Sequence, residues 1–387
     1  MNAVLESVRA DLGEHVEFIS GFAFKSSKFN DQGEGLPIAR IRDVVRGFSE
    51  TFYEGEFDEK FVIKDGDYLI GMDGEFNLAK WKGGKALLNQ RVCKLGDMSE
   101  KLDRHYLARF LPKALKDIED VTSFVTVKHI SVKQLRQIQI PLPPLEEQKR
   151  IAEILDAADI LRAKRREALA KLDDLLQSTF LDMFGDPVTN PKGWDFKELA
   201  DVVQEGTIVT YGIVQAGEEF PGGVPYIRTG DIVEGVVNEE NLRHTAPEIA
   251  AKFERSRVRE GEIVMSIRAT VGTTALVTKT LDGANLTQGT GRISPGENTN
   301  CYFLLHFIRS KGTQTWIQRQ IKGATFREIT LKRLRQLPVF LPPLDLQQRF
   351  AEIVSCVEEK KAKMRKHLEQ LDDLFASLQQ RAFRGDL

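Results

Sequence analysis

The side chains of this 387-residue sequence that most often bind metal are six histidines, at 15, 105, 129, 244, 306 and 367, and three cysteines, Cys93, Cys301 and Cys356. None of them clusters at metal-ligand spacing. Three cysteines, far apart and odd in number, offer no disulfide framework and fit a reducing cytoplasm. Gly83-Gly84-Lys85 has the glycine and lysine of a phosphate loop. It lacks the glycine five residues before the Gly-Lys pair and the Ser or Thr after it. Asp65-Gly66-Asp67 and Gly71-Met72-Asp73-Gly74 carry carboxylates, yet neither extends to a calcium loop, and acidic turns account for both. These residues point away from chemistry on this chain, and neither metal nor cofactor is expected.

Cations are the remaining chemistry. The net charge of −2 argues against a surface coated in positive charge for indiscriminate nucleic-acid binding, so the local distribution decides. Leu145 to Asp159 holds two basic and five acidic residues. Ile160 to Lys171 holds five basic and one acidic, and Leu172 to Phe184 three acidic and none basic. A second stretch concentrates Lys360, Lys361, Lys363, Arg365 and Lys366 in the same way. If these stretches lie antiparallel their positive middles meet, do not neutralise each other, and call for phosphates or an acidic protein face. Solvated i to i+4 pairs such as Glu167 with Lys171 are the other reading.

The elements carrying these cations occur twice. Ile130 to Ile154 (ISVKQLRQIQIPLPPLEEQKRIAEI) returns as Ile329 to Ile353 (ITLKRLRQLPVFLPPLDLQQRFAEI), displaced by 329 minus 130, or 199 residues, with 14 of 25 positions identical. Leu172-Asp173-Asp174-Leu175 returns as Leu371-Asp372-Asp373-Leu374 at the same displacement. So long a period marks duplicated modules. The prolines Pro143-Pro144 and Pro342-Pro343 disfavour helix just ahead of them, so a helix starts there. Apolar residues then recur at three-four spacing through Ile151, Ile154, Leu161, Leu172, Leu175 and Phe180, and again through Phe350, Ile353, Met364, Leu371 and Leu374. No Gly or Pro interrupts either run before Gly185-Asp186-Pro187 or Gly385, giving two helices of roughly 40 residues and about 60 Å. Sharing one stripe, they are expected to pack on each other as an antiparallel coiled coil. Leu161, Leu172, Met364 and Leu371 are expected inside it, with Arg165 and Lys360 as polar interruptions near the middle.

The parts between read as two α+β domains. In the first, Leu36 to Val45, Phe61 to Ile70 and Leu87 to Leu95 read as strands and Arg104 to Glu119 as a helix. Leu36 to Gly47 lines up with Val224 to Gly235, keeping a Pro, an Arg, the Asp and the Gly, and Lys64-Asp65-Gly66-Asp67 matches Arg259-Glu260-Gly261-Glu262. These matches sit at displacements of 188 and 195, so loop lengths differ. The expected division is 1–141, 142–187, 188–340 and 341–387: domain, helix, domain, helix, a pseudo-twofold repeat. No apolar run reaches the 18 or so residues of a membrane span, and the N-terminus lacks a signal-peptide apolar core. A cytoplasmic protein is expected.

This order, with Leu-Pro-Pro-Leu-x-x-Gln-x-Arg opening each helix, resembles the specificity subunit of type I restriction-modification systems, over essentially the whole chain. The resemblance implies two target-recognition domains, each reading half of a split double-stranded DNA sequence. It also implies helices that space the domains and dock two methyltransferase subunits, restriction subunits completing the complex, and no catalysis by this subunit. Asn190-Pro191 is only a fragment of the Asn-Pro-Pro-Tyr-like site of adenine methyltransferases. A non-catalytic scaffold binding proteins through two globular domains stays open beside this reading.

Base reading needs Arg, Lys, Asn or Gln on a rigid edge, with other cations on phosphates. In the first domain the candidates are Lys25, Lys28, Arg40, Arg42, Lys80, Lys82, Lys85, Asn89, Gln90 and Arg91, with Gly83 and Gly84 allowing close approach to a phosphate. In the second they are Tyr211, Arg228, Arg268, Thr270, Thr287, Gln288, Arg292, Lys322 and Arg327. Leu88-Asn89-Gln90 and Leu286-Thr287-Gln288 occupy corresponding places. For the coil or a partner the candidates are Ile154, Leu161, Leu172, Leu175, Phe180, Phe184, Ile353, Met364, Leu371, Leu374 and Phe383. Half-sites about one duplex turn apart suit a rod of this length, which caps their separation at roughly 17 base pairs.

Overall fold

The computed structural model describes residues 9–122, 128–323 and 327–387. Two compact units divide the chain, one running up to Arg166 and adding His367–Leu387, the other being Glu167–Lys366. The mixed α+β composition follows the expectation, and each unit takes one globular part and half of each long helix.

In the first unit, strands Val16–Ser20, Val92–Met98, Tyr68–Gly71 and Asn77–Lys80 form an antiparallel sheet in that order. A second sheet pairs Leu36–Ala39 in parallel with Ala86–Leu88. Three runs read as single strands are each broken. Asp43 turns Ile41–Val44 into a helical turn by accepting the amide of Arg40, Gly66 in left-handed backbone bends the 64–67 turn, and Asn89-Gln90-Arg91 separates Ala86–Leu88 from Val92. The helix expected from Arg104 spans Arg104–Val121, its start capped by Asp103.

The second unit repeats this plan. Thr210–Tyr211, Thr290–Ile293, Ile263–Ser266 and Thr274–Leu276 form the antiparallel sheet, and Val224–Ile227 runs parallel to Asn285–Leu286. The faint sequence matches are shared hydrogen bonds. Asp231 accepts the Arg228 amide as Asp43 accepts that of Arg40. Glu262 accepts the Arg259 amide as Asp67 accepts that of Lys64. The carboxylates of Asp67 and Glu262 therefore close turns.

The long helices span Leu145–Phe184 and Leu344–Ala382, each starting after its proline pair and ending before a left-handed glycine, Gly185 or Gly385. The motif glutamine explains the sharp start. Gln148, fully buried, accepts the Asp103 amide and donates to the carbonyls of Lys101 and Pro143. Gln347, 199 residues on, accepts the Asn300 amide and donates to Asn298 and Pro342.

Within each unit the helix segments run antiparallel. In the first, Arg162 meets Asp372 and Arg150 meets the terminal Leu387; Ile151 and Leu155 share a core with Ala382 and Phe383. In the second, Lys361 meets Asp173, and Phe180 and Phe184 pack on Phe350. In three apolar doublets the second member faces in: Leu155, Leu176 and Val354 are buried, while Leu175 and Ile353 are exposed, as is Leu374. Ile154 is half-buried, as are Leu172, Met364 and Leu371. Leu161, expected inside, is 53% exposed. The buried interruption is Lys361 and not Lys360, because position 361 faces the neighbouring helix.

The positive middles are also partly neutralised, contrary to expectation. The first aspartate of each Leu-Asp-Asp-Leu motif crosses to the other helix: Asp372 takes Arg162 and Arg166, and Asp173 takes Lys361.

Candidate nucleic-acid interface

In each unit several chain segments cross at one place, tied by matching backbone hydrogen bonds. In the first, the Asn89 amide donates to the Ala39 carbonyl at 3.2 Å and the Gln90 amide to Phe22 at 2.8 Å. In the second, Thr287 donates to Ile227 at 3.2 Å and Gln288 to Ile213 at 2.8 Å. The alignment of Leu88-Asn89-Gln90 with Leu286-Thr287-Gln288 is thus a structural equivalence. The crossing requires glycine in both units, since a Cβ at Gly21 would lie 2.0 Å from the Asn89 carbonyl oxygen and one at Gly212 would lie 1.9 Å from that of Leu286.

The same crossing includes a second loop. Met72 donates to Arg91 and Gly74 to Lys128, as Ile267 donates to Gly289 and Ala269 to Arg327. Isolated β-bridges join Asp73 to His129 and Arg268 to Glu328. One backbone frame therefore carries different side chains. Where the first unit places Asp73 against His129 at 2.5 Å, the second places Arg268 against Glu328 at 3.1 Å.

Many of the expected readers gather here. Gln90 and Arg91 are exposed on the first crossing, and Asn89 is buried beside them, its Oδ1 without a partner among the described residues. Arg40 and Arg42 stand alongside, both donating to Thr51 Oγ1. On the second crossing Arg268, Thr270, Lys322 and Arg327 are exposed, with Thr287 and Gln288 half-buried among them. A bridge links Lys322 to Glu328, and Arg327 donates to Gln318. Tyr211 is 41% exposed, one residue from Gly212.

Others lie elsewhere or are held inward. Lys25 precedes and Lys28 ends the exposed turn Ser26–Lys28, and Lys80 ends the outer strand Asn77–Lys80. Lys82 and Lys85 are exposed on either side of Gly83-Gly84, but those glycines serve the protein's own packing. The Trp81 indole donates to the Gly84 carbonyl, the Gly84 amide to Asp65, and a Cβ at Gly83 would strike the Trp81 ring. Arg228 spends Nε and Nη2 on Asp231. Arg292 is turned fully inward, bidentate on Glu262 with its third contact on the Arg255 carbonyl. Its counterpart in the first unit is Lys94, facing Asp67 at 3.9 Å, so in both units this position supports the turn closed by Asp67 or Glu262.

Burial pushes the Asp43 carboxyl above its ordinary range, partly offset by its Ser49 hydrogen bond and by Arg42 and Arg46. Asp231 holds the Arg228 guanidinium above its usual range. Both carboxylates fix backbone turns under the crossing.

Sequence reasoning missed Phe22, which is 49% exposed, bridges Asn89 and lies 5.2 Å from the Phe61 ring. Its signal was Gly21-Phe22-Ala23-Phe24 ahead of Lys25. It also missed Asp73, His129 and Glu328, which only folding brings to the arginines.

A model of the type I restriction modification DNA specificity domain matches residues 7–171 and 191–372. The chain is 32% identical to the type I restriction enzyme EcoBI specificity subunit of Escherichia coli, over 98% of this chain and 86% of that protein. It is 24% identical to the MjaVIII specificity subunit of Methanocaldococcus jannaschii, over 93% and 88%. Among solved structures, a chain from work on complex assembly and conformational transition of the type I R-M system aligns with TM-score 0.54 at 19% identity, over 98% of each chain. The type I restriction-modification S subunit from M. genitalium aligns at 0.50 and 14%, over 99% of each. These two likenesses are of fold. No helix among the described residues is long and apolar enough to cross a membrane.

Proposed function

The chain belongs to the type I restriction-modification DNA specificity family, and on that premise we propose that it is the DNA-reading specificity subunit of a cytoplasmic type I restriction-modification complex. Residues 1–141 and 188–340 are its recognition domains, one for each half of a split, asymmetric duplex target. Residues 142–187 and 341–387 are the spacer helices, which dock two methyltransferase subunits, with restriction subunits joining the assembly. The subunit itself does no chemistry. The observation that carries this reading is the pair of crossings, where identical backbone bonds hold Asn89, Gln90 and Arg91 in one unit and Thr287, Gln288 and Gly289 in the other. Duplicate frames with unlike side chains suit two unlike DNA words. The exposed apolar residues Leu161, Leu175, Ile353 and Leu374 suit helix faces that partner subunits cover.

Mapping methylated positions across the genome of cells with and without this chain tests the proposal. The expected result is one bipartite motif that depends on the chain, two short half-sites around an unread gap. An unchanged methylation pattern, or an uninterrupted motif, overturns it.

A further inference from the structure

Each crossing presents an exposed arginine whose Nε faces the carboxylate of a neighbouring loop, and the two arginines come from different positions of the shared frame. In the first unit Arg91, 54% exposed, places Nε 3.5 Å from Asp73 and Nη1 3.4 Å from His129 Nδ1. In the second, Arg268, 46% exposed, donates from Nε to Glu328 at 3.1 Å, and its terminal nitrogens have no partner among the described residues. Arg268 is the counterpart of Asp73 (268 minus 73, 195), Glu328 of His129 (328 minus 129, 199) and Gly289 of Arg91 (289 minus 91, 198). All three positions differ between the copies, yet each copy keeps one arginine with one carboxylate on its Nε side.

The backbone is strained at both places. Arg91 has φ of 71° and Ala269, next to Arg268, has φ of 56°. Left-handed backbone outside glycine persists where its surroundings over-determine it, and such outliers concentrate at binding sites. The Nε hydrogen bond to Glu328 limits the swing of the Arg268 guanidinium, the Asp73 carboxylate lies within ion-pair distance of Arg91, and each guanidinium offers outer N–H groups in one plane. That fork matches the O6 and N7 acceptors of guanine in the major groove, whereas a phosphate accepts equally from a point charge such as lysine.

We propose that Arg268 reads a guanine in the half-site of the second domain and Arg91 a guanine in the half-site of the first, with Glu328 and Asp73 as positioning residues. This rests on the specificity-subunit reading above, and the test separates the two.

The test uses the full chain in complex with its methyltransferase subunits. The probe is a duplex bearing the target read from the methylation map, with every base pair of both half-sites substituted in turn, at fixed salt. Wild type is expected to reject substitution of one G·C pair in the second half-site by roughly 5- to 150-fold. In R268A and R268K that preference should fall below about threefold, with first half-site preferences unchanged as the internal control for folding. R91A and R91K should give the mirror result. E328Q should weaken the same preference while leaving binding to a non-target duplex unchanged. Uniform weakening of R268A on all duplexes makes Arg268 a phosphate contact and overturns the inference, as does an unchanged G·C preference. A wild-type complex without preference anywhere overturns the specificity reading itself.

Discussion

Arg162 donates from Nε to Asp372 Oδ1 across 2.5 Å, tying the first long helix to the second. Adding 199 to 162 gives Lys361 and subtracting 199 from 372 gives Asp173, and these two residues meet at 2.6 Å. The duplication thus supplies the same cross-helix bond twice. Lys361 is 5% exposed and has Glu358 as its other partner. Replacing Asp173 by Ala should destabilise the chain by about 1–3 kcal/mol in chemical denaturation, because a buried ammonium loses a carboxylate. K361M should be nearly neutral. Equal effects of the two substitutions would refute this account.

The paired glutamines give a second expectation. Q148L removes one acceptor and two donors that satisfy buried backbone groups, and should lower stability by at least about 2 kcal/mol. Q347L should do the same in the other core, and the double substitution should sum the two within about 0.5 kcal/mol. Leucine tolerated at 148 would show that the helix start is held by the prolines alone.

Arg292 should matter for folding and not for DNA preference. Its partner Glu262 is buried and also accepts from Ser294. R292A should therefore cost about 3–5 kcal/mol of stability. Whatever folds should keep the wild-type order of preference among duplexes, measured by binding to the same set of substituted duplexes at fixed salt.

His306 lies edge-on to Phe350. Burial lowers its pKa to about 3, with the charges of Arg309 and Lys361 adding to the effect. The folded imidazole stays neutral below its ordinary 6.5 while the unfolded one takes a proton. Stability is therefore lost as pH falls from about 6.5 toward 3. Between pH 7.5 and 5.5 the wild type should lose about 1–1.5 kcal/mol more than H306L. Parallel pH profiles for the two proteins would contradict this.

Helix length gives the last expectation. Four residues inserted both between Ala163 and Lys164 and between Ala362 and Lys363 keep Arg162 opposite Asp372 and Lys361 opposite Asp173 in register, and add slightly more than one turn, about 6 Å. The methylated motif should gain one or two base pairs of gap with unchanged half-sites. Insertion in one helix alone breaks the register and should reduce stability. An unchanged gap after the double insertion would count against the helices as the spacer.

Periodicity and duplication determined the long helices, their proline starts and glycine ends, and the presence of two like domains, because these are local or repeated signals. The alignment of Leu88-Asn89-Gln90 with Leu286-Thr287-Gln288 was legible for the same reason. Apolar spacing alone placed Leu155 and Ile154 on one stripe. A rotation of 100° per residue against a real neighbour was needed to bury Leu155 and leave Ile154 half-buried.

Only the tertiary structure decided which cations are spent inside the protein. Arg292 and Arg268 look alike in sequence. One is half-buried on Glu262, 30 residues away, and the other stands exposed with its Nε on Glu328, 60 residues away. Charge in a sequence says what a side chain can bind. Which carboxylate reaches it first depends on long-range strand pairing, and no local pattern records that pairing.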